Sequence, residues 1–164
     1  MSILSACEWL EHTAVAVVVR ESLWGFPILV GLHLMGIALS VGTLVWFDLR
    51  LLGIGLTRIA VSNVYRRLMP WAFAGFLVMF VTGGLLFSGY ATAAYGNAYF
   101  RVKVLALVLA GLNALRYHLV TERTIGTWDR TELPPPAARF AGGASIVLWT
   151  LVILMGRMIS YTMF

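Results

Sequence analysis

The run GFPILVGLHLMGIALSVGTLVWF, Gly25 to Phe47, decides the fold. It holds no Lys, Arg, Asp or Glu over a length that crosses a hydrocarbon core of about 30 Å, so it predicts a transmembrane helix. In its first half it carries an ionisable ring, His33. Such a ring is costly in lipid unless it faces the protein interior and meets a partner, which makes His33 the first candidate for function. At about 100° per residue, Gly36, Ile37 and Ser40 fall within about 60° of His33. The two small residues leave a shallow groove that admits a flat group or another helix backbone.

The rest of the chain has the same character. Of 164 residues, 60% are hydrophobic and 12% charged, and the mean hydropathy is +0.88. A soluble domain is closer to a quarter charged. The expected fold is therefore all-α: a single integral membrane domain, built as a four-helix transmembrane bundle with a short N-terminal interfacial helix. Spans are expected at about residues 23–47, 69–90, 100–120 and 140–163, and the interfacial helix at about 3–20. Ser22 is placed to cap the first span, and Asp48 and Arg50 close it as a local boundary pair. Leu51 to Arg67 reads as a connecting loop with a short surface helix. The second span is charge-free, with Trp71 and Tyr90 at its ends and Gly75, Thr82 and Gly83 on one packing face.

The third span poses a problem of length. The residues between Lys103 and Arg116 make only about 18 Å of helix, so at least one of these cations lies inside the nominal boundary or snorkels out of it. A polar loop with the three-proline stop Pro134 to Pro136 follows.

Composition excludes several classes of function. The net charge of +5 sits at helix ends and in loops, where it sets topology, so nucleic acid is not an expected partner. The single cysteine, Cys7, rules out an internal disulfide, a CxxC redox pair and the thiol pair that attaches a c-type haem. The N-terminus lacks the basic start and clean apolar run of a cleaved signal peptide. Arg20, Arg101, Lys103 and Arg157 fall on one side of the membrane, and Arg50, Arg58, Arg66, Arg67, Arg116, Arg123, Arg130 and Arg139 on the other. That asymmetry places the second group in the cytoplasm and both termini in the periplasm, as expected for a bacterial inner-membrane protein.

A partner for His33 must lie at its level. His118 is on the order of 10 to 15 Å deeper, which argues against one haem held between the two rings. Lys103 starts near the outer end of the third span, and its stem reaches inward toward His33. Arg157, Arg20 and Arg101 belong to the same boundary and would ring an anionic ligand such as porphyrin propionates or an acidic lipid head. His118 and His12 stand behind these as alternative metal ligands. Each candidate also has a plainer role: a hydroxyl partner for His33, snorkelling for Lys103, a Glu21 pair for Arg157. Met155 and Met158 form one MxxM pair where a copper path needs several, so the methionines read as packing.

The stretch HLMGIALSVGTLVWFDLRL, His33 to Leu51, followed by FRVKVLALVLA, Phe100 to Ala110, and the pair Tyr117–His118, resembles the membrane superfamily of HemJ-type protoporphyrinogen oxidases and copper-resistance protein D. RESLW, Arg20 to Trp24, and DLRLLG, Asp48 to Gly53, are similar to motifs of bacterial four-helix membrane proteins without a characterised role. The resemblance implies a b-type haem or porphyrin held by a first-helix His and a third-helix Lys, here His33 and Lys103. The expected function is thus a cytochrome-like, haem b electron carrier in the outer half of the membrane, exchanging electrons with a quinone and a periplasmic redox protein. Two alternatives stay open. One is a cofactor-free accessory subunit, in a homo-oligomer or a larger membrane complex; the other is a porphyrinogen-oxidising enzyme.

Overall fold

The computed structural model describes residues 2–163, with side chains for 2–162. Two short helices lead, α1 (Ile3–Glu11) and α2 (Ala14–Glu21). The long helices are α3 (Gly25–Leu52), α4 (Val61–Gly89), α6 (Ala98–Arg116) with its continuation, and α8 (Pro136–Met163). A small helix, α5 (Ala91–Gly96), links α4 to α6. Beyond α6 the chain runs through a π-helical turn, Tyr117–Thr121, a 3-10 turn, Glu122–Thr124, and the single turn α7 (Ile125–Trp128). Among the described residues there is no strand, and four helices are long and apolar enough to span a membrane. The chain is an integral membrane protein.

Local chemistry explains where the helices differ from the expected bounds. The N-terminal segment breaks in two because Thr13 caps a second helix, its hydroxyl accepting the Ala16 N–H at 3.4 Å. Ser22 accepts the Gly25 N–H at 3.0 Å, but it ends α2, and the cap position of the first span is Trp24 because that helix begins at Gly25. The first connecting loop shrinks to residues 53–60, since α4 already begins at Val61. Its cap comes from far along the chain: Asp129 accepts the Ser62 N–H at 2.8 Å through its carboxylate and the Val61 N–H at 2.9 Å through its carbonyl. At the other end of that loop Gly53 takes φ +75°, and a Cβ there would sit 3.1 Å from the Glu132 carbonyl. The third span runs 31 residues from Ala98 to Trp128, so Lys103 and Arg116 both lie inside it, as the short stretch between them required.

Helices pack in two pairs, α3 on α4 and α6 on α8, and the pairs meet chiefly where α3 crosses α8. The closest approach is at Gly75, where a Cβ would fall 2.5 Å from the Ser40 nitrogen and 2.8 Å from the Gly36 carbonyl. Small residues let these backbones touch. A compact core forms at the arginine-rich end from Phe47, Leu51, Val61, Val64, Tyr117, Trp128, Ala138 and Ala141. Leu34, Met35, Phe73, Leu77, Phe80 and Val147 point outward, as lipid-facing side chains do. The short helices brace the other end: Val19 of α2 sits against Gly89, and Glu11 of α1 accepts hydrogen bonds from the Thr92 N–H and hydroxyl.

Candidate functional site

His33 lies between α3 and α4, its Nδ1 2.9 Å from Thr82 Oγ1. The Thr82 hydroxyl donates its own proton to the Val78 carbonyl at 2.6 Å, which leaves Oγ1 as an acceptor. The ring therefore donates from Nδ1–H, and the Met79 carbonyl faces it as well. This network assigns the proton to Nδ1 and leaves Nε2 with a lone pair and no hydrogen bond among the described residues. The approach is tight because position 83 is glycine: a Cβ there would lie 3.2 Å from His33 Cε1.

Lys103 arrives from α6. Its ammonium rests beside α8, 3.5 Å from where a Cβ on Gly156 would be, and is the ionised group whose charge acts on the His33 ring. Among the described residues Lys103 has neither a carboxylate nor a hydrogen-bond acceptor. The structure thus brings His33 and Lys103 into one neighbourhood and walls it with Thr82, Gly83 and Gly156.

Other expected site residues lie elsewhere. Gly36 and Ser40 do not line an open groove; α4 fills it, with Gly75 and Met79 seated there and the Ser40 hydroxyl donating to the Gly36 carbonyl at 2.7 Å. Arg157 is exposed and turns to its own helix, stacking 4.8 Å over Tyr161 and donating to its hydroxyl at 3.2 Å. The Glu21 pair weighed for it is absent among the described residues. Arg101 bonds the Tyr95 carbonyl at 3.1 Å, and Arg20 acts on Glu11, so the three arginines form no ring around His33.

His118 is remote. It pairs with Glu122 at 2.6 Å and packs on Tyr65, whereas His33 packs on Thr82; along α4 those partners are about 26 Å apart. His12 is exposed at the end of α1. No group of three or more His, Cys, Asp or Glu side chains converges among the described residues.

Residues 8–162 match one family model, described as a Family of unknown function (DUF6644). The chain belongs to this family. No curated protein and no solved structure matches it. In this DUF6644 protein the matched region contains the whole His33, Thr82 and Lys103 neighbourhood.

Sequence reasoning missed two features, one beside His33 and one at the other end of α3. Thr82 reads as a packing residue in a charge-free span, and only the hydrogen bond reveals it as the residue that orients His33. Asp48 and Arg50 read as a boundary pair but point about 200° apart on one helix. Arg50 is fully buried and clamps two loops instead, donating to the carbonyls of Ile59 at 2.7 Å, Thr131 at 3.0 Å and Asp129 at 3.4 Å. Two surface depressions of about 420 and 290 Å³ flank that clamp, around Asp129 and Arg130 and around Arg58 and Asn63, far from His33.

Proposed function

We propose that this protein is a b-type haem carrier of electrons, embedded in the bacterial inner membrane with its termini and the His33 site on the periplasmic side. The observation that supports it is the oriented His33 ring, with Nε2 free beside the unpartnered Lys103 side chain. These donors fit a haem iron: an imidazole nitrogen, fixed through Nδ1 by Thr82, and a primary amine as the weaker second donor. When bound, the haem supplies a reversible one-electron change at iron. The chain's part is to hold the imidazole in one tautomer, to exclude water with the apolar faces of α3 and α8, and to offer the Lys103 nitrogen as a neutral amine, its ammonium proton being released on binding. A quinone in the bilayer and a periplasmic redox protein are the proposed electron partners.

The test is a reduced-minus-oxidised absorption spectrum of protein purified in detergent after expression with excess haem. Haem bands that vanish in His33→Ala and shift in Lys103→Met are expected. Their absence from the wild type would reject the haem reading, and bands unchanged in His33→Ala would reject the ligand. A second reading, an accessory subunit, is supported by glycines that face open space on outer helix faces, Gly31, Gly42, Gly84 and Gly111. Scattering mass measurement of the purified protein and of its native membrane complex tests that reading.

A further inference from the structure

At the end of α3 opposite His33, Asp48 is only 4% exposed. Three elements enclose it. Helix α8 crosses at Gly142, where a Cβ would be 2.8 Å from the Asp48 carbonyl, and Ser145, a turn further on, presents its hydroxyl to the carboxyl group. The π-turn brings Tyr117, whose hydroxyl interacts electrostatically with Asp48, and Tyr65 of α4 stands behind it with Glu122 and Asp129. Phe47 closes the edge, its ring 5.8 Å from Tyr117.

Among the described residues no cation answers this carboxyl group. The guanidinium of Arg50 is turned to the other side of the helix and engaged with three loop carbonyls. The ion pair found among the described residues joins His118 to Glu122 and leaves Asp48 out. Asp48 Oδ2 is buried with no hydrogen-bond partner. An ionised carboxylate in this setting would hold a full charge inside the helix bundle with one oxygen unsolvated and no counter-charge, whereas the neutral acid removes the charge and turns one oxygen into a donor. A second buried oxygen without a partner among the described residues, the Thr121 hydroxyl, lies a turn beyond Tyr117 on the way to the arginine-rich surface. Irregular π-helical turns recur at functional sites, and this one carries both side chains.

We propose that Asp48 is a proton-binding site of the membrane-embedded bundle. The proton bonds to one carboxyl oxygen, comes from water at the arginine-rich surface and returns to it, and the Ser145 hydroxyl steadies the carboxyl group. The site is independent of whether His33 binds haem.

Infrared spectroscopy of the full chain in lipid tests this. The wild type should show, at neutral pH, the C=O stretching band of a protonated carboxyl group, shifting on transfer to deuterated water. Asp48→Asn, a neutral near-isostere, should lose it, and Glu132→Gln should keep it. Ser145→Ala, which keeps the carboxyl group, should move the band to higher frequency by removing a hydrogen bond, and it serves as the readout should Asp48→Asn not fold. Absence of the band in the wild type, its survival in Asp48→Asn, or an unmoved band in Ser145→Ala would overturn the proposal. Loss of the wild-type band on adding sodium ions would also overturn it, by making Asp48 a cation ligand.

Discussion

The α3–α4 contact yields the sharpest prediction, because its tolerance is set by backbone atoms. In Gly75→Ala the new methyl group would begin 2.5 Å from the Ser40 nitrogen and 2.8 Å from the Gly36 carbonyl. Ordinary contact begins near 3.4 Å, so the helices must part by about 0.9 Å at this point. Neither atom is the end of a flexible chain, so repacking cannot absorb the clash, and overpacking of this kind costs roughly 1–3 kcal/mol. The separation also reaches the site. Thr82 is two turns along α4, and opening the 2.9 Å His33–Thr82 hydrogen bond by that amount carries it past bonding range, a further loss of about 1 kcal/mol. Gly84→Ala is the control, since nothing lies within 4 Å of its Cβ position and the helix-propensity gain is common to both changes. Thermal unfolding followed by circular dichroism in one detergent should place Gly75→Ala below Gly84→Ala by about 2–4 kcal/mol. Gly36→Ala should fall between them, because its nearest neighbour at 2.9 Å is the movable Met79 side chain. Equal stability of the Gly75 and Gly84 variants would refute the close-packed interface.

Three further predictions follow from individual side chains. Thr82→Val keeps the shape of residue 82 but removes the acceptor of His33 Nδ1–H; it should cost about 1 kcal/mol in thermal unfolding and, in haem-loaded protein, broaden or weaken the haem bands as the ring loses its fixed orientation. Arg50→Met leaves three loop carbonyls without their charged donor and should destabilise by roughly 1–3 kcal/mol, with faster proteolysis within residues 53–60 and 129–135. Arg50→Lys should not restore protection, because one ammonium cannot reproduce the guanidinium fork. The Thr92 hydroxyl and N–H, aided by Arg20 and His12, hold the Glu11 carboxyl below its ordinary range despite partial desolvation. The tether of α1 to α5 is therefore fully present above the unfolded carboxyl pKa of about 4.3 and is lost as pH falls through the lower, folded value. Hydrogen exchange in residues 3–11 should rise on acidification in the wild type and show little pH dependence in Glu11→Gln.

The spans were legible because hydropathy is a local property. Gly25 to Phe47 and the charge-free run around Gly75 identify themselves without reference to anything else in the chain. Span ends were less legible where a distant residue makes the cap: nothing near Val61 announces that Asp129, 67 residues beyond Ser62, starts α4 there. The third span outran its expected end at about residue 120 because the helix continues through a π-turn and polar residues to Trp128, a continuation that apolar periodicity does not record.

For the site, the sequence by itself singled out His33 as the costly group and Lys103 as a group at its level, since both conclusions need only helix rise and the price of polarity in lipid. Tertiary structure decided what each faces. It gave the Gly36–Ser40 groove to α4, because small residues invite a backbone as readily as a flat ligand, and it sent Arg157, Arg20 and Arg101 to surface partners. It also joined His33 to Thr82 across 49 positions and parted Asp48 from Arg50 across two. Sequence sets which groups are expensive to bury; only the rotation of one helix against another determines which partner, if any, each of them meets.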